Sequence, residues 1–143
     1  MSDNPANANA FSHAGMVNLE SVAAFDGESF SPSNIVASDE GAKIRVKWGL
    51  DQQVPVKDNH EFHLTVYFEN LSGERPGPRQ FVIPANAGDD AGNYEFQFKV
   101  EPGDLPPGIY RVTTLLVYDS KGEFDQPLAA FFELVLQVFS TRF

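Results

Sequence analysis

The sequence predicts an all-β chain, folded as a single sandwich of about seven antiparallel strands with an N-terminal arm. Three observations lead there. From about residue 42 onward apolar residues recur at every second position. The runs are separated by short segments rich in Gly, Pro, Asn and Asp, residues that set turn geometry through their backbone and side-chain preferences. Strong helix signals are missing. With 143 residues, 42% of them apolar and 13% aromatic, the chain has the material for one packed domain.

Residues 1–30 read as the arm, partly disordered or docked on a partner. MSDNPANANAFSHAG is polar and without period. His13 to Phe30 carries Met16, Val17, Leu19, Val22, Phe25 and Phe30, enough to dock. Met16, Leu19 and Ala23 fall near helical spacing, but Gly15 and Gly27 weaken a helix there. The sandwich is expected over residues 31–143, starting with a short strand near 34–38. Ile44, Val46, Trp48 and Leu50 then face one way, with Lys43, Arg45 and Lys47 opposite. Phe62, Leu64, Val66 and Phe68 alternate with Glu61, His63, Thr65, Tyr67 and Glu69; Tyr94, Phe96, Phe98 and Val100 alternate with Glu95, Gln97 and Lys99. A shorter strand over 80–83 lies between SGERPGP and ANAGDDAGN, and two long ones, 109–119 and 128–139, flank the turn SKGEFDQP.

Seven short strands with such turns suit an immunoglobulin-like sandwich. GDLPPGIYRV, at 103–112, places Tyr110 at the entrance to the penultimate strand, just after a Pro-Pro-Gly turn. This segment resembles the tyrosine corner of bacterial immunoglobulin-like and fibronectin-like β-sandwich domains, in which the hydroxyl bonds back to upstream backbone. The resemblance implies a fold and no activity. Two features depart from antibody-type domains: the inter-sheet Cys pair is absent, and Trp48 lies on the second strand rather than the third. The ending PLAAFFELVLQVF resembles uncharacterised bacterial single-sandwich proteins, and the corner segment is loosely similar to the sugar-binding sandwich of polysaccharide exporters.

Ten Lys and Arg against twenty Asp and Glu leave a net charge of -10. That charge repels nucleic acid and anionic membrane surfaces, so neither nucleic-acid binding nor membrane insertion is expected. The absence of Cys excludes disulfides and thiolate chemistry and fits a cytoplasmic location. No nucleophile elbow or phosphate-binding loop occurs, and Asp39 with Glu40 is an unremarkable pair in so acidic a chain, so no enzyme and no cofactor are expected. His60 and His63, three apart on a strand, face opposite sides and cannot share a metal. Asp89 and Asp90 lack the spacing of a Ca²⁺ loop, so no metal site is expected. Lys43, Arg45 and Lys47 are expected to pair with Glu95 and Gln97 across the sheet.

The penultimate and last strands carry the functional signal. If Tyr110, Val112, Thr114 and Leu116 point inward, Ile109, Arg111, Thr113, Leu115 and Val117 point outward; Ala130, Phe132, Leu134, Leu136 and Val138 form the inner row of the last strand. One sheet then shows Tyr67, Leu115, Val117, Phe131, Val135 and Phe139 together on its outer face, an apolar patch that needs a cover or a partner. The cover is either the arm or another protein. The sequence therefore points to a non-catalytic protein-interaction or assembly subunit, a homo-oligomer or part of a larger assembly, that binds through this face and its arm. The alternatives are a carbohydrate-binding module using Tyr67 and Tyr118 as stacking platforms, or an intracellular inhibitor.

Overall fold

Period-two alternation becomes strands, as expected. The computed structural model describes residues 11–12, 16–27, 31–71, 73, 75–124 and 128–140. Among them are nine strands: β1 (Phe11–Ser12), β2 (Val17–Asp26), β3 (Ile35–Ala37), β4 (Ala42–Leu50), β5 (Glu61–Asn70), β6 (Arg79–Pro84), β7 (Asn93–Val100), β8 (Gly108–Asp119) and β9 (Leu128–Phe139). One sheet runs β2-β4-β7; the other runs β1-β9-β8-β5-β6, with β3 also on β9. This is the strand distribution of an immunoglobulin-like sandwich. All pairs are antiparallel except β3 with β9, which run parallel from Ile35 beside Gln137 to Ala37 beside Phe139. No helix among the described residues is long and apolar enough to cross a membrane.

Two expectations change. The boundary drawn at residue 30 falls inside the sandwich, because β2 is the edge strand of the three-stranded sheet and its Val17, Leu19, Val22 and Ala24 are buried between the sheets. These side chains fill the core and do not cover the outer face of the other sheet. The alternation was hidden by a β-bulge between Leu19 and Ser21, which shifts the inward set from 17 and 19 to 22 and 24. Residues 1–10, 13–15 and 28–30 of the expected arm lie outside the described residues. The second change is in the count, nine rather than about seven, since β1 and β2 add to the expected set.

The core is aromatic where the two sheets meet. Trp48 of β4 is fully buried, stacks on Tyr94 of β7 at 5.4 Å and 1° between planes, and meets the edge of Phe62 of β5 at 5.4 Å. Phe62 in turn lies 5.0 Å from Tyr118 of β8. Each sheet thus contributes two rings.

Tyr110 forms the expected corner. Its ring is buried and its hydroxyl donates to the Pro106 carbonyl at 2.5 Å, four residues upstream. The bond ties the loop before β8 to the strand's own first inward residue. Gly41, at the turn into β4, is fixed for a different reason: its φ is +72°, and a Cβ there would stand 2.5 Å from the Val100 carbonyl.

Replacing Tyr110 with Phe keeps the ring and removes the bond, so the chain should lose about 1 kcal/mol in urea denaturation. An unchanged midpoint would show that the corner bond contributes nothing. Thr114, on the inner row of β8, is fully buried and its hydroxyl finds no hydrogen-bond partner among the described residues. Thr114→Val, which replaces that unpaired hydroxyl with a methyl of similar size, should therefore be neutral or stabilising by up to about 1 kcal/mol in the same assay.

Candidate functional site: the outer face of the large sheet

Register decides which outward residues meet. On β5, β8 and β9, Thr65, Leu115 and Phe131 form one cross-strand row; His63, Val117 and Ala129 form the row on one side of it, and Tyr67, Thr113 and Glu133 the row on the other. Beyond these come Glu69, Arg111 and Val135, then Ile109 and Gln137, with Ile35 of β3 beside Gln137. All six residues expected on this face do lie there. They differ in exposure: Val135 is 58% exposed, Tyr67 44% and Phe139 37%, whereas Leu115, Val117 and Phe131 are only partly exposed. Phe131 is paired with Phe11 of β1, so the edge beside it is occupied by the chain's own N-terminal segment.

The exposed apolar surface is centred nearer one end than the sequence suggested. Ile35 and Ile109 are about half exposed, at 53% and 47%, and stand on either side of Gln137. Leu71, also exposed, follows directly after β5 and its N–H donates to the Ile109 carbonyl at 2.8 Å. With Val135 and Phe139, these residues bring exposed aliphatic and aromatic groups from four neighbouring chain segments together. Ile35 and Leu71 went unnoticed because one sits on a three-residue strand and the other just past a strand end, where alternation gives no signal.

The opposite end of the face is charged. Glu61 and His63 are two apart on β5 and so share the outer face, and Asp119 pairs with Glu61 across β8. His63 Nε2 lies 3.3 Å from Glu61 Oε1 and 3.3 Å from Asp119 Oδ2. Lys121 Nζ donates to Glu61 Oε1 at 2.5 Å and stands 3.4 Å from Asp119 Oδ2. The Lys121 ammonium holds the Glu61 carboxyl below its ordinary value, and the Lys121 backbone N–H does the most to lower Asp119. The expectation that no residues here have ligand spacing was thus too narrow: His63 has no partner in His60 but has two in Glu61 and Asp119.

His60 turns the other way and is buried. Its Nε2–H donates to Glu123 Oε2 at 3.0 Å, and Nδ1 shares a 2.7 Å hydrogen bond with the Tyr118 hydroxyl. Lys57 Nζ donates to Glu123 Oε1 at 2.9 Å. The loop before β5 is thereby latched to the turn after β8. Burial pushes the Tyr118 hydroxyl up to about 12. Tyr118 is fully buried, which corrects its expected part as an exposed sugar platform. The parity that turns Tyr110 inward also turns Tyr118 inward.

Two further places were of interest. The basic row behaves largely as expected: Lys47 stands 3.6 Å from Glu95, and Arg45 lies opposite Gln97 with its guanidinium 4.7 Å over the Phe25 ring, while Lys43 lies opposite Lys99. A cleft of about 520 Å³ opens between residues 50–56 and 85–94, with Asp51, Gln52, Asn86, Asp89 and Asp90 on its walls. Asp89 is already engaged, its Oδ1 accepting from the backbone N–H groups of Ala91 and Asn93. Tyr94 lines the cleft but is buried and stacked on Trp48, so its ring is not a free platform.

The latch has a pH signature. Lys57, then His60, hold the Glu123 carboxyl below its ordinary value of 4.5. A group depressed in the folded state stabilises it above its unfolded value and loses that contribution as pH falls through the folded one. Lys57→Met should raise the Glu123 titration midpoint toward 4.5 without restoring it fully, because the His60 bond remains; carboxyl-carbon NMR reads this directly.

No family model matches the chain, and no curated protein matches it either. Among solved structures, the C-terminal domain of Wzt aligns over 93% of this chain and 78% of its own length, with a TM-score of 0.64 at 11% identity. An immunoglobulin-like protein from Pseudomonas aeruginosa aligns over 86% of this chain and 96% of its own, with a TM-score of 0.46 at 16% identity. The CARDB domain of a Pyrococcus furiosus protein, solved in complex with di-metal ions, aligns over 97% and 100%, with a TM-score of 0.47 at 12% identity. At these identities the likeness is one of fold, and together with the strand order and the Tyr110 corner it makes the chain an immunoglobulin-like β-sandwich.

Proposed function

We propose that this chain is a non-catalytic binding module that docks a protein through the outer face of its large sheet. The observation that carries this is the clustering of exposed Ile35, Leu71, Ile109, Val135 and Phe139 at one end of that face. Scattered surface apolar residues need no explanation, but a contiguous group on a flat sheet is what protein interfaces use. Glu69 supports the same reading, because it engages Arg111 at 3.2 Å and Arg75 at 3.5 Å beside the cluster and so supplies a polar rim. The partner is a second copy of the chain or a component of a larger assembly.

A carbohydrate module is less well supported. Sugar recognition uses exposed rings flanked by polar side chains, and of Tyr67 and Tyr118 only Tyr67 is exposed.

Ile109→Ser with Val135→Ser tests the proposal. Both side chains point away from the core, so the double variant should fold with an unchanged thermal midpoint. Burial of such side chains is worth about 1.5–3 kcal/mol each, so association should weaken by at least about tenfold. Light scattering reads a smaller mass if the partner is a second copy; affinity capture reads loss of the partner if it is not. A folded variant with unchanged mass and unchanged partners would overturn the assignment.

A further inference from the structure

At the other end of the same sheet, we infer that Glu61, His63 and Asp119 form a binding site for a divalent transition-metal ion such as Zn²⁺, with Lys121 as a tethered cation that competes for it. One ligand atom from each residue lies within 4.8 Å of the others. The placement is a product of the sheet: two side chains from alternate positions of β5 and one from the paired position of β8 project on one face, held by strands on both sides.

The spacing suits a metal. Zn–N and Zn–O bonds of about 2.0–2.2 Å in tetrahedral geometry put neighbouring ligand atoms about 3.4 Å apart. Both edges at His63 Nε2 measure 3.3 Å. That nitrogen is shielded from solvent and makes no aligned hydrogen bond to either oxygen. It stands equally far from the two carboxylate oxygens, as a ligand to an ion shared with both would. One imidazole with two carboxylates is a mixed nitrogen and oxygen set. It favours Zn²⁺ or a related transition metal over Ca²⁺, which takes six to eight oxygens. Three protein ligands leave a position open, and it adjoins a pocket of about 460 Å³ walled by His63, Val117, Asp119 and Phe124, where water or a small ligand can complete the coordination.

Lys121 Nζ bridges the same two carboxylate oxygens that the ion would take. It is a weak occupant. Its side chain is 41% exposed, and exposed ion pairs of this kind are readily exchanged. A metal entering the site displaces the ammonium to solvent and keeps both carboxylates compensated.

Calorimetry with Zn²⁺ alone on the full chain tests this, with side-chain nitrogen NMR of the three His residues. One equivalent of Zn²⁺ should bind saturably and shift the His63 ring nitrogens. His63→Ala and Asp119→Asn should each abolish binding, and His13→Ala should leave it unchanged. Lys121→Met should tighten it by up to about fivefold, the factor that corresponds to removing a competing exposed ion pair. Far-UV circular dichroism checks that each variant is folded, and Glu61→Gln, on the same solvent-facing row, provides a second ligand variant. Non-saturable binding, binding that survives His63→Ala, or a Lys121→Met variant no tighter than the parent would each overturn the inference. Competition by equimolar Ca²⁺ would overturn the transition-metal assignment.

Discussion

The contact between Trp48, Phe62, Tyr94 and Tyr118 is the interaction on which the rest of the structure depends. An antibody-type sandwich pins its two sheets with a disulfide, and this chain has no Cys. Here Trp48 of β4 and Tyr94 of β7 meet Phe62 of β5 across the sheet interface, and Tyr118 of β8 packs beside Phe62 within the large sheet. Each aromatic pair adds about 0.5–1.5 kcal/mol beyond the area it buries, and edge-to-face geometry makes the contact directional as well as apolar. The cluster therefore fixes how the sheets stack and, with them, the register of the strands that carry the rings.

Fixing Phe62 and Tyr118 inward has consequences outside the core. A one-residue slip of β5 would expose Phe62 and one of β8 would expose Tyr118, so the pairing of the two is strongly specified. The same register aligns Glu61 with Asp119 and pairs His63 with Val117 in the adjoining outward row. His60 extends the aromatic cluster with polar groups: its ring meets Tyr118 edge-on at 5.5 Å, and its nitrogens reach Tyr118 and Glu123. One end of the sandwich is thus closed by a hydrogen-bonded latch, while the Tyr110 corner closes the loop at the start of β8.

The outer face divides along the strand axis. Its charged end gathers Glu61, His63, Asp119 and Lys121, and its other end gathers Ile35, Leu71, Ile109, Val135 and Phe139. Between them lie the half-covered Leu115 and Phe131, beside which β1 adds its two residues. A chain with a net charge of -10 is kept apart from its copies by long-range repulsion, so any docking through the apolar end must come from short-range burial. The proposed metal site, drawing on two of the acidic groups, lies at the opposite end of the same strands.

The local pattern by itself determined most of the fold. Strict alternation from Ala42 to Phe139 gave the long strands and their inward rows, and the Pro-Pro-Gly turn before Tyr110 gave the corner, because both are set by neighbours within a few residues. What depends on distant pairing was decided only by the tertiary structure. β2 shows no strand period in the sequence because the bulge after Leu19 breaks it, and only its partner β4 makes it a strand. The meeting of Glu61, His63 and Asp119 spans residues 58 apart and follows from which position of β8 lies opposite Glu61, the register in which Phe62 and Tyr118 pair and pack inward. The apolar end of the face likewise required Ile35 and Leu71, a short parallel strand and a strand end, to arrive beside Ile109. Sequence period tells which way a side chain points along its own strand; which residues become its neighbours is set by long-range packing.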